Sequence, residues 1–133
     1  MAGQITWTIS RGIRSSTGSN PTSGSYVLVG STEIVTNTNL ATNANTNINT
    51  AWTAPGTNSG NLVGVIMIAT QNCTVRTNNA NANAAQDTLN LLANVPVEWD
   101  GQNGLNSPFN GAVTAMYVIC TTALQFKCNV LTY

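Results

Sequence analysis

Residues 62–69 read LVGVIMIA, and after the polar break Thr70-Gln71-Asn72 the chain resumes as CTVRT over 73–77. The first stretch is apolar on both faces and too short for an ordinary buried helix. It reads as a strand at the centre of a sheet. In the second stretch Cys73, Val75 and Thr77 alternate with Thr74 and Arg76, the period of two expected of a strand with one buried face.

The same period recurs on either side. Ile5, Trp7 and Ile9 alternate with Gln4, Thr6 and Thr8. Ser25 to Gly30 and Thr32 to Thr36 form two short strands around Gly30-Ser31. Thr88 to Leu92 and Val95 to Trp99 follow, with Pro96 suited to a strand start or edge. Val113 to Cys120 and Leu124 to Tyr133 read as a closing hairpin. Asp100-Gly101, Asn103-Gly104 and Asn110-Gly111 are turn signals. Polar loops are expected near 11–24 and 78–87, and no stretch carries a helical period. The fold class is therefore all-β: one domain over 1–133, a jelly-roll-like antiparallel β-sandwich of about eight to ten short strands.

Twenty asparagines and twenty threonines stand against four basic residues, four carboxylates and no histidine. Histidine is the usual proton shuttle and metal ligand near neutral pH, so its absence argues against an enzyme and against imidazole-based metal sites. The formal net charge of zero removes the basic footprint of a nucleic-acid binder. It also leaves little repulsion between copies, which favours a homo-oligomer. No apolar run approaches the ~20 residues that span a bilayer, and Met1 to Ser10 has no signal-peptide pattern, so synthesis in a cytoplasm is expected. The three cysteines cannot all pair within the chain. Cys120 and Cys128 flank the expected closing turn, yet all three are read as buried thiols.

Candidate chemistry is sparse. Glu98 and Asp100 would share one face of a strand, but an Asp-Gly turn accounts for the second, and no further catalytic shell accompanies them. Asp87 and Asp100 are too scattered for a calcium loop. Asn72-Cys73-Thr74 fits the glycosylation acceptor pattern but falls within a strand region. Thr42, Thr46 and Thr50 repeat every four residues, too briefly for an ice-binding face. No catalytic, cofactor-binding or metal-ligating residue is assigned. The segment 36–53 is the most unusual: Asn43, Asn45, Asn47 and Asn49 alternate with other residues and would share one side of an extended chain, with Trp52 closing the apolar face before Ala54-Pro55-Gly56. Asparagine is poor in strands, so this row implies a face satisfied by solvent or a partner. Together with Arg11 and Arg14 in the first polar loop, these asparagines are the expected partner-contact residues.

The order of phrases from Cys73 onward adds a further expectation. CTVRTNN (73–79), then QDTLNL (86–91), VPVEW (95–99), NSPF (106–109) and VTAMYV (113–118) follow in turn. This series resembles small β-sandwich virion proteins of tailed bacteriophages, in which similar strand phrases recur in the same order. The likeness covers about the last 60 residues; before them only the strand end at Trp52 to Pro55 matches. Where the family pattern has an acidic pair, this chain has Gln86-Asp87. The resemblance implies a capsid decoration or cement protein, located on the virion, whose partner is the major capsid protein or another virion protein. A head-fibre or tail-associated module that binds glycans, using the turn cluster at 100–111 with Trp99 and Asn103, is the alternative.

Overall fold

The computed structural model describes residues 4–13, 22–48, 62–101 and 107–133. Ten strands and no helix occur among them. These are β1 (Ile5–Ile13), β2 (Thr22–Gly30), β3 (Thr32–Leu40), β4 (Asn45–Asn47), β5 (Leu62–Ala69), β6 (Cys73–Thr77), β7 (Thr88–Leu91), β8 (Val97–Asp100), β9 (Met116–Ile119) and β10 (Leu124–Thr132). All pairings are antiparallel.

Eight of the strands pair in a nested series: β3 with β10, β4 with β9, β5 with β8, and β6 with β7. That is one long hairpin folded at the 78–87 turn. Its successive rungs are dealt alternately into two sheets, β3-β10-β5-β8 and β4-β9-β6-β7. Rolled this way, the double hairpin is a jelly roll, as the strand density led us to expect.

Side-chain alternation decides what fills the space between the sheets. Val65, Met67, Phe126, Cys128 and Val130 from the first sheet meet Val75, Met116, Val118 and Leu91 from the second. Phe109 and Val113, from the segment between β8 and β9, are fully buried in the same core. Trp99 also lies in it, at the β8 edge.

The apolar run of β5 carries a local irregularity. Gly64 pairs with Leu131 and Leu62 with Thr132, so Val63 is an extra residue, a β-bulge. Leu62 packs in the main core, whereas Val63 joins Leu28 and Leu131 in a second cluster on the other side of the sheet. The β1–β2 hairpin covers that cluster through Ile5, Trp7 and Ile9. Its approach is close: a Cβ on Gly64 would stand 3.0 Å from Leu28 Cδ1 and 3.3 Å from Trp7 Cζ3.

Three expectations are corrected. The first polar loop is shorter than 11–24, because Arg11, Gly12 and Ile13 pair with Gly24, Ser23 and Thr22. Once these residues extend in register, the backbone ladder outweighs their turn-prone composition. The segments 113–120 and 124–133 do not form a hairpin: β9 pairs with β4 and β6, and β10 inserts between β3 and β5. Cys120 and Cys128 therefore do not face one another across a hairpin, and all three cysteines are free and buried.

Candidate interaction surface

The asparagine-rich segment is not one continuous strand. Asn43 adopts φ 59° in the turn between β3 and β4, a left-handed conformation that asparagine tolerates better than most side chains. The row is broken there, and Asn43 does not share a strand face with the others. Asn45 and Asn47 do: they stand opposite Ile119 and Tyr117 on β9. Asn49 and Arg14 lie outside the described residues, as do Trp52, Pro55, Asn103 and Gly104. Arg11 is placed by its backbone alone, paired with Gly24.

Register extends the Asn45–Asn47 face across the whole second sheet. Ile119 and Tyr117 oppose Thr74 and Arg76, which oppose Asn90 and Thr88. Asn45, Asn47, Thr88 and Asn90 are exposed, and Thr74, Arg76, Tyr117 and Ile119 are half-buried. The result is a broad outward face of amides and hydroxyls around two apolar rings or branches and one cation. Thr74 Oγ1 donates to Asn90 Oδ1 at 3.1 Å, and Arg76 Nη1 donates to the Ala80 carbonyl at 2.6 Å. Arg76 Nε is buried with no hydrogen-bond partner among the described residues.

At one end of this sheet sits a dense polar knot that joins the phrases singled out in the sequence. Asp87 is 6% exposed. Its Oδ2 accepts from Thr77 Oγ1 at 2.8 Å and Gln86 Nε2 at 3.4 Å, and its Oδ1 from Asn110 N at 3.1 Å and Asn110 Nδ2 at 2.7 Å. A carboxylate offers about four acceptor sites. Here hydrogen-bond donors fill them, which makes Asp87 a tie between the 78–87 turn and the 107–115 segment rather than an ion ligand. Asn78, at φ 63°, does the same from the neighbouring position. Its Oδ1 accepts from Thr114 N and Thr114 Oγ1, and its Nδ2 donates to Gln86 Oε1 and the Ala112 carbonyl. Within the loop, Asn79 and Asn81 accept from the backbone N–H two residues on, so the low-complexity stretch is a chain of side-chain turns.

Asn72 is similarly occupied, its Oδ1 accepting from Ala93 N at 2.8 Å. Glu98 is exposed, and Asp100 and Trp99 are buried. Among the described residues no group of three or more histidine, cysteine or acidic side chains gathers as a metal site. Burial pushes the Cys128 thiol up to about 12. Burial, with Cys120 nearby, pushes Cys73 up to about 11.

A feature that sequence reasoning missed lies between β1 and the first sheet. Trp7 Nε1 donates to Glu33 Oε1 at 2.9 Å, beside a cleft of about 380 Å³ lined by Thr6, Thr8, Ile9, Ile66 and Asn129. The alternation of Ile5, Trp7 and Ile9 announced a buried face, but nothing local announced that it would settle on the outside of another sheet.

No protein-family model matches the chain, and no curated protein or solved structure matches it either.

Proposed function

We propose that this chain is a non-enzymatic structural protein of a virion, a decoration or cement protein that binds the assembled shell and bridges capsid subunits. The observation that carries this reading is the outward face of the β4-β9-β6-β7 sheet. Asn45, Asn47, Thr74, Thr88 and Asn90 offer neutral donors and acceptors beside Tyr117 and Ile119, with Arg76 the one charged group in that register. Such a face docks through many uncharged hydrogen bonds without the large desolvation cost of buried charges. Repeated over a shell, weak contacts of this kind sum through multivalency. The jelly roll is a frequent architecture of viral capsid domains, which by analogy supports the reading. The order of phrases from Cys73 onward points the same way.

The test is co-sedimentation with assembled particles, followed by cryo-EM of the complexes. Density on the outer shell between capsid subunits is expected, with attachment weakened by Asn45→Lys and Asn47→Lys. A chain that never sediments with particles overturns the proposal.

A second reading, a fibre or tail module that binds glycans, is favoured by the Trp7–Glu33 cleft, since jelly rolls also serve as lectins. Trp99 is buried in the core and offers no open ring for sugar stacking. Glycan binding that is lost on Trp7→Ala, with the fold retained, would move this reading to first place.

A further inference from the structure

Among the described residues the two large sheets end in four edge strands, and three of them are short. β4 has three residues, β7 four, and β8 four, the last entered from Pro96 and bearing Glu98 and Asp100. Short length, proline and charge are the usual means of keeping a sheet edge from pairing with another chain. β3 is neither short nor broken by proline: it runs nine residues without proline or lysine, and its one charge, Glu33, lies near its start.

Which backbone groups of β3 point outward follows from the ladder. Thr70 N donates to the Gln125 carbonyl, so Gln125 and its odd-numbered neighbours on β10 face β5. The even-numbered residues of β10 therefore face β3, where they oppose the even-numbered Ile34, Thr36, Thr38 and Leu40. Ser31 N donating to the Thr132 carbonyl agrees with that phase. The N–H and C=O groups of Glu33, Val35, Asn37 and Asn39 lie along the outer edge, where no described strand pairs with them, and all four side chains are exposed, Val35 at 62%.

We propose that β3 pairs antiparallel with β3 of a second copy of this chain, about a two-fold axis at Asn37, joining two four-stranded sheets into one. The register is chosen by chemistry. With Asn37 opposite itself, Val35 faces Asn39 of the second copy, and about six backbone hydrogen bonds close the seam. On the core side Thr36 meets Thr38 and Ile34 meets Leu40, pairs that stabilise antiparallel sheets. The two Glu33 carboxylates fall at opposite ends, roughly 27 Å apart at 3.4 Å per residue, well beyond the screening length of physiological salt. A neutral chain adds no long-range repulsion to oppose the contact. The inference stands on the backbone of β3 and does not depend on the virion reading. It leaves the β4-β9-β6-β7 face, on the other sheet, open to a different partner.

Sedimentation velocity on the intact chain over a concentration series tests it, with three variants. Asn37→Pro removes an N–H that β10 does not use, and Asn37→Lys sets two ammonium groups opposite one another. Both should leave the circular dichroism unchanged and weaken dimerisation about tenfold or more. Asn37→Cys should form a disulfide-linked dimer with oxidised glutathione, two thiols giving up two protons and two electrons to it, while Asn39→Cys should not. The native cysteines are buried and do not compete. A wild-type chain that stays monomeric overturns the proposal, as does a dimer indifferent to Asn37→Pro and Asn37→Lys, or one in which Asn39→Cys links and Asn37→Cys does not. Particle binding is scored separately, so loss of either property leaves the other readable.

Discussion

Replacing Asp87 with alanine removes an acceptor that three other residues have been folded to reach. Thr77, whose hydroxyl donates to it at 2.8 Å, is fully buried and has no route to water. Its orphaned hydroxyl costs about 1–3 kcal/mol. Asn110 loses two bonds at 2.7 and 3.1 Å but is exposed enough to recover part of them from solvent, so we add about 1 kcal/mol. The expected loss is therefore about 3 kcal/mol. For a chain of this length, 1 kcal/mol moves Tm by roughly 3–4 °C, which puts the drop near 10 °C. Asp87→Asn keeps one oxygen and should lose about half as much. Thr77→Val removes the same bond from the other side, so the double variant should show coupling of about 1–2 kcal/mol in a thermodynamic cycle. Urea denaturation and calorimetry on the four proteins supply the numbers. A fall below about 3 °C for Asp87→Ala, or additive effects in the cycle, would refute the tie. A rise in Tm with added calcium would show that the carboxylate is an ion ligand after all.

Other outcomes follow from the same packing. Phe126→Ala, fully buried between the sheets, should cost about 3–5 kcal/mol in denaturant melts. Gly64→Val drives a branched side chain into Leu28 and Trp7; limited proteolysis should then cut the β1–β2 hairpin faster, with a stability loss of about 1–3 kcal/mol. The thiols give a pH signature. Folding holds protons on Cys73 and Cys128 above the ordinary value of 9.0, so their contribution is complete below that pH. It declines by about 1.4 kcal/mol per pH unit for each thiol as pH rises toward 11 and 12. Cys128→Ser should flatten that slope, and thiol reagents near pH 8 should react only after denaturant is added.

Much of the fold was legible because strands with one buried face write their period directly into sequence. The bounds of β6 follow from the alternation of CTVRT, those of β5 from the unbroken apolar run LVGVIMIA, and the polar loop after β6 from its asparagines. What was not legible is which strand pairs with which. Val113 to Cys120 and Leu124 to Tyr133 are adjacent and alternate well, so proximity suggested a hairpin. Pairing is decided by a core that closes between sheets, and no local pattern reports it. The asparagines misled for a different reason. Asn43 and Asn78 occupy left-handed turns, Asn72, Asn79 and Asn81 cap backbone donors, and Asn45 and Asn47 face outward from a strand. One residue type serves three physical purposes, and spacing alone does not separate them. The role of Asp87 was hidden similarly, since its partners Thr77 and Asn110 are distant in sequence and meet only once the turn has folded.

The nested order of the strands also governs how the chain reaches this state. Arg76 and Thr88 are 12 positions apart, whereas Thr32 and Thr132 are 100 apart. Contact order therefore climbs at each rung outward from the 78–87 turn, and folding in milliseconds to seconds is expected, with the β6–β7 ribbon formed first. β10 is inserted between β3 and β5, so the first sheet lacks an interior strand until β10 docks. Until then β3 and β5 have no common partner, and the long unprotected side of β3 is matched by a second bare side. The protein is most prone to associate while β10 is undocked, and its yield depends on how fast β10 docks relative to encounters between copies.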